Sequence, residues 1–148
     1  MLTDTGIEDD IREALLVDPR IKDANEVAIS ADDGRITLRG TVGSFAQRRA
    51  AVRDALAVEG VYNVDDELQV RLLDEARRED ADIRGIVLQI LTWDVEVPSE
   101  SIDVKVKDGW ITLKGTVSYQ FESDAAYDDV ASLYGVYGIT NDIEVVTL

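Results

Sequence analysis

Hydrophobic residues along this chain recur first at helical spacing and then in strict alternation, and they do so twice. Ile7, Ile11, Leu15 and Leu16 fall on one face of a predicted helix. Asp9 and Asp10 would complement the dipole of its first turn, and Pro19 closes it, because the residue before a proline avoids the helical region. Val27, Ile29 and Ala31 then alternate with Ala28 and Ser30, as in a half-buried strand. Asp32-Asp33-Gly34 signals a tight hairpin, with Arg35 to Val42 as the returning strand and Ile36 and Leu38 pointing inward. Phe45 to Val58 reads as a second helix that buries Phe45, Val52, Ala55 and Leu56 and ends at Gly60 as its C-cap. Val64 to Leu72 supplies a third strand.

The stretch Asp33-Gly34-Arg35-Ile36-Thr37-Leu38-Arg39-Gly40-Thr41-Val42 returns as Asp108-Gly109-Trp110-Ile111-Thr112-Leu113-Lys114-Gly115-Thr116-Val117, 75 positions later and without insertion. Around it the same order repeats: Ile83, Ile86, Val87 and Ile90 on a helix, then Ile102, Val104 and Val106 on a strand. Trp110 to Val117 follows, then a helix from Phe121 to Tyr134, a stop at Gly135 and a last strand from Ile139 to Val146. The expected fold class is therefore α+β, an α/β sandwich of two tandem αββαβ units. Each unit is a three-stranded mixed sheet with both helices on one face. The third strand, reached by a helical crossover, should run parallel to the second. The expected domains are residues 1–73 and 83–148, joined by a charged helical linker over 74–82.

That architecture leaves one face of each sheet uncovered by its own helices. If Ile36, Leu38, Ile111 and Leu113 face the helices, alternation sends Arg35, Thr37 and Arg39 to the open face of the first sheet, with Arg71 joining them. Lys105, Lys107, Trp110 and Lys114 go to the open face of the second. A tryptophan among lysines marks a candidate interaction surface. The competing reading is that strand cations discourage edge pairing. Gly40 and Gly115 read as structural glycines that permit a bulge or a close approach, and Gly60 and Gly135 as helix stops.

Charge narrows the function classes. With 31 acidic against 15 basic residues the net charge is −16, a field that repels nucleic acid and anionic membranes and favours cations or basic partners. Adaptation to high salt produces the same signature. The chain has no cysteine and no histidine, which removes disulfides, thiolate chemistry, the usual zinc sites and every histidine-based triad. Asp33 and Asp108 read as turn residues, and Asp65, Asp66 and Glu67 as a solvated acidic cluster, so no metal and no cofactor is assigned. No nucleophile has an activating base, and the expectation is a non-enzyme. The acidic N-terminus is no signal peptide and no stretch is long enough to span a bilayer, so the expected location is cytoplasmic as written, or periplasm and envelope if a leader was removed.

The pattern Leu38-x-Gly40-x-Val42, a helix, and Gly60-Val61-x-x-Val64-x-x-x-Leu68-x-Val70 resembles the BON family, named for bacterial osmotic-shock and nodulation proteins. Leu113, Gly115, Val117, Gly135, Val136, Ile139, Asn141, Ile143 and Val145 repeat it, Asn141 standing where the first copy has Asp66. The resemblance, to the tandem periplasmic osmotic-stress type, implies a non-enzymatic, stress-associated module contacting phospholipid or envelope partners. One family member has a potassium-sensing role. Two alternatives stand beside it: a cytoplasmic scaffold that self-associates through its open sheets, and a sensor that binds potassium or calcium.

Overall fold

The computed structural model describes residues 2–22, 24–72, 78–133 and 135–146. Helix α1 (Asp4–Val17) is set by its cap: Thr3 Oγ1 accepts the Gly6 N–H at 3.0 Å. It therefore starts earlier than expected, and Asp4, not Asp9 or Asp10, occupies the first turn. Ile7, Ile11 and Leu15 are buried, whereas Leu16 is 57% exposed. One residue is a 100° turn of the helix, enough to carry Leu16 off the core stripe.

A 3₁₀ turn (Ala24–Glu26) leads into β1 (Val27–Asp32), β2 (Arg35–Val42), α2 (Phe45–Leu56) and β3 (Asn63–Val70). β2 is central, antiparallel to β1 and parallel to β3. The second unit repeats this with α3 (Asp80–Trp93), a 3₁₀ turn (Ser99–Ser101), β4 (Ile102–Lys107), β5 (Trp110–Val117), α4 (Gln120–Ala131) and β6 (Gly138–Val145). Here β5 is central, antiparallel to β4 and parallel to β6. Among the described residues two three-stranded mixed sheets and four α-helices make the α+β fold that the repeat predicts. By internal contacts the chain divides into Met1–Arg71 and Leu72–Leu148. Of the 74–82 linker, residues 74–77 lie outside the described residues, and helix begins at Asp80.

Each core lies between one sheet face and its two helices. Val27, Ile36, Leu38 and Leu68 meet Ile7, Ile11, Leu15 and the small face of α2. That small face corrects the sequence reading: α2 buries Gln47, Ala50, Ala51 and Ala55, while Leu56 is 49% exposed and Phe45 and Val52 are only partly covered. Alanines let a helix lie close to a sheet, which leaves the bulky positions at its flanks. Gly60 and Gly135 are not helix caps. Ala57 and Ser132 hold the C-cap positions, and both glycines lie three residues beyond them, in the turn into the next strand.

Gly40 and Gly115 have a sharper steric reason. Their φ angles are 136° and 149°, and a Cβ at either would collide with a backbone carbonyl oxygen, that of Glu26 or of Ser101. The 3₁₀ turn before the hairpin lies directly against the central strand, and only glycine permits that approach. The hairpins are locked from the helix side as well. Asp33 and Asp108 take left-handed φ of 53° and 51°, as a two-residue hairpin turn requires. The Asp4 carboxylate accepts the Asp33 N–H at 3.0 Å, and Asp80 accepts those of Asp108 and Gly109 at 2.9 and 3.0 Å.

Candidate interaction surface

Alternation places the outward residues as the sequence predicts, but cross-strand register decides what each one meets. In the first unit Arg35, Thr37 and Arg39 on β2 oppose Asn63, Asp65 and Glu67 on β3. On the other side they oppose Asp32, Ser30 and Ala28. Arg39 Nη2 donates to both oxygens of Glu67, at 3.2 and 3.0 Å, and Arg35 Nε donates to the Tyr62 hydroxyl at 3.2 Å. Two arginines thus face three carboxylates: Arg39 is ion-paired with Glu67, and Arg35 is held by a neutral hydroxyl between Asp32 and Asn63 in register. Arg71 is exposed one residue beyond β3, where its backbone N–H donates to the Val42 carbonyl at 2.8 Å.

The second unit fills the same positions differently. Trp110, Thr112 and Lys114 oppose Gly138, Thr140 and Asp142 on β6, and Lys107, Lys105 and Asp103 on β4. Trp110 Nε1 donates to Thr140 Oγ1 at 2.8 Å, and its six-membered ring lies over Gly138, where any side chain would strike it. The indole is therefore fixed in orientation while remaining 46% exposed. Lys105, Lys107 and Lys114 are exposed and close no ion pair among the described residues, although Lys114 stands between Asp103 and Asp142 in register. The structure thus gathers Lys105, Lys107, Trp110 and Lys114 on one face, and Arg35 and Arg39 on the corresponding face of the other unit. Gly138 and Thr140, which orient the indole, escaped the sequence reading. The replacement of Asn63 and Asp65 by Gly138 and Thr140 between the repeats was the available signal.

A second difference lies behind the sheets. Arg48 Nε on α2 donates to Asp66 Oδ2 at 2.7 Å, and the same oxygen pair of Asp66 accepts the Leu68 N–H through Oδ1 at 3.0 Å. In the second unit Asn141 Nδ2 donates to Ser123 Oγ at 3.1 Å, and Asn141 Oδ1 accepts the Ile143 N–H at 3.2 Å. An ion pair in one repeat and a neutral pair in the other make the same link from helix to third strand. The acidic cluster of Asp65, Asp66 and Glu67 is accordingly committed in part: Asp66 to Arg48 and Glu67 to Arg39.

Two carboxyl pairs complete the inventory. Asp18, at the C-cap of α1, accepts from Arg20 at 2.8–3.0 Å, and its side chain is in hydrogen-bond reach of Asp54 on α2. Those Arg20 bonds, then the bond from Asp54, hold Asp18 well below the usual carboxylate range. Burial, then the proximity of Asp18, raises Asp54 from 3.8 to about 7. In the second unit Asp94 and Asp129 stand in the same relation, Asp94 lowered by its bond with Asp129 and Asp129 raised by burial and by Asp94 to about 7. Among the described residues no group of three or more His, Cys, Asp or Glu side chains could hold a metal ion, and no helix is long and apolar enough to cross a membrane.

An αββαβ unit, doubled, with a glycine-permitted crossing of its hairpin and an open sheet face, defines a tandem α+β module. The chain belongs to the BON-domain family, whose model matches residues 3–71 and 79–147. It is 33% identical over 148 residues to osmotically-inducible protein Y of Escherichia coli K12, covering 97% of this chain and 73% of that protein. Two solved structures of CdsD, a structural protein of the type III secretion system of Chlamydia trachomatis, are also similar. Its C-terminal domain is 10% identical with a TM-score of 0.40, covering 98% of this chain and all of that one. The other is 12% identical with a TM-score of 0.42, covering 99% and 65%.

Proposed function

We propose that this protein is a non-catalytic, stress-associated interaction module that engages an anionic partner, with phospholipid of the cell envelope as the leading candidate. The observation that carries the reading is the open face of the second sheet. On a chain of net charge −16 it offers Lys105, Lys107 and Lys114, which close no ion pair among the described residues, around an indole already held by Thr140. Pre-orientation lowers the entropy lost on docking, and a partly exposed indole gives contact area beside the charges. The likeness to an osmotically inducible protein supports the link to stress. The absence of cysteine and histidine supports the non-catalytic reading.

Co-sedimentation of the full chain with vesicles tests it. Vesicles of phosphatidylglycerol should retain the protein at low salt and release it at high salt, while vesicles of phosphatidylcholine should not retain it. Equal retention by both, or none by either, overturns the lipid assignment. A second reading has its own support, because the acidic remainder of the surface is itself an anionic partner for Lys105, Lys107 and Lys114. In that case the chain self-associates through its open sheet, and light scattering on a size-exclusion column should show an oligomer that dissociates with salt and with the W110S/K114E double variant.

A further inference from the structure

The carboxyl pairs behind the sheets have no part in the proposed surface, yet they recur at matching places in both units. Asp18 and Asp94 are the C-cap residues of α1 and α3, while Asp54 and Asp129 project from the last turns of α2 and α4. Each pair thus ties the end of one helix to its neighbour. Asp54 Oδ2 and Asp129 Oδ2 are buried without a hydrogen-bond partner among the described residues. Two carboxylates in contact can only accept, so neither can satisfy the other. One proton carried by Asp54 and donated to Asp18, or by Asp129 to Asp94, supplies the missing hydrogen bond and removes the repulsion.

The surroundings of the two pairs differ in sign. Arg20 Nη2 reaches both Asp18 at 2.8 Å and Asp54 at 3.5 Å, so a guanidinium spans the first pair. The corresponding residue of the second unit is Glu96: its backbone N–H donates to Asp94 at 2.9 Å, as that of Arg20 does to Asp18, but its side chain adds negative charge. Asp128 adds more from α4. The groups acting on Asp54 are therefore Asp18 and Arg20, and those acting on Asp129 are Asp94, Asp128 and Glu96.

We propose that each unit carries a one-proton switch at its helix–helix contact, closed when the aspartate pair shares a proton and loosened when the proton leaves, and that the second unit loosens further because Glu96 stands in place of Arg20. The direction follows from linkage. Asp54 and Asp129 hold their protons to about 7 when folded against 3.8 otherwise, so their protonation favours the folded helix pair, and this contribution is lost as pH rises from about 4 to about 7. Asp18 and Asp94, shifted downward, act oppositely and only on acidification below their ordinary value. Across neutral pH the first effect alone operates.

Carbon-detected NMR titration of the aspartate carboxyl carbons in the full chain tests the switch directly. Two resonances should titrate near neutrality, one disappearing in D54N and the other in D129N. Amide exchange, corrected for its intrinsic pH dependence, should show the last turn of α4 losing roughly tenfold of its protection between pH 5.5 and 8.5, more than α2 loses, with E96R narrowing the gap. If every aspartate carbon of the wild-type chain titrates below about pH 5, as ordinary carboxyls do, the switch does not exist. Loss of protection that is unchanged in D54N and D129N would also overturn it. Equal loss in α2 and α4, indifferent to E96R, would sink the role given to Glu96.

Discussion

The two open sheets share a fold, a hairpin and a nearly identical central strand, but their corresponding outer faces differ in charge. In the first, Arg35 and Arg39 are held by Tyr62 and Glu67 and face a surplus of carboxylate. In the second, three lysines face two aspartates and flank an indole seated on a glycine. The central strands differ there by Arg35 to Trp110 and Arg39 to Lys114 alone, so they cannot account for all of the contrast. The flanking strands make most of it, with Asp32, Asp65 and Glu67 exchanged for Lys107, Thr140 and Asp142. A duplicated scaffold keeps its inward pattern because both cores need it, while the outward positions of the edge strands are free to diverge. That division of labour explains why binding is assigned to one unit and not to both.

The comparison can be broken most forcefully at what the units share. Gly40→Ala and Gly115→Ala should each destabilise their own unit by about 3 kcal/mol or more, since backbone must move to admit the Cβ. Urea unfolding followed by amide exchange in each unit would read this, and equal losses would show that the scaffold role is common to both repeats. The next effect should separate them. W110S/K114E should weaken binding to anionic vesicles roughly tenfold or more, while R35S/R39E should change it by no more than about twofold, because Arg39 is already paired with Glu67 and both arginines face the carboxylates of Asp32, Asp65 and Glu67. A comparable loss from both would return the surface to diffuse electrostatics.

Smaller effects sharpen the picture. Arg48→Ala should cost the first unit about 1–2 kcal/mol by stranding Asp66, whereas Ser123→Ala should cost the second about 1 kcal/mol or less, since a neutral amide is left. Thermal unfolding of the two variants would rank them. Asp65→Thr with Glu67→Gln, which removes both β3 carboxylates from the open face of the first sheet, should raise its vesicle affinity by roughly two- to threefold through the release of Arg39. An unchanged affinity would mean that the indole, and not the free cations, does the docking.

Much of this was legible in the chain. The return of the hairpin stretch 75 positions later, without insertion, discloses two units, and alternation about Ile36, Leu38, Ile111 and Leu113 discloses which residues face outward. Both are local periodicities. Helix faces are less legible: Leu16 turns 100° off the core stripe of α1, while Phe45 and Leu56 lie at the flanks of α2, whose close approach to the sheet is made by alanines. Gly60 and Gly135 were misread as caps because a glycine after a helix has the same local signature whether it ends the helix or turns the chain into a strand.

What the sequence determined by itself, then, is the tandem αββαβ order, the glycine-dependent hairpins and the outward placement of Arg35, Arg39, Lys105, Lys107, Trp110 and Lys114, since each depends on residues close together in the chain. Only the tertiary structure decided which of those cations are neutralised and which stay free. Arg39 meets Glu67 across 28 positions, and Trp110 meets Thr140 across 30. The same holds for Asp18 with Asp54 and Asp94 with Asp129, brought together by helices that meet on one sheet face. Parallel register and helix packing are set by burial of the whole core, and no spacing within a single element carries that information.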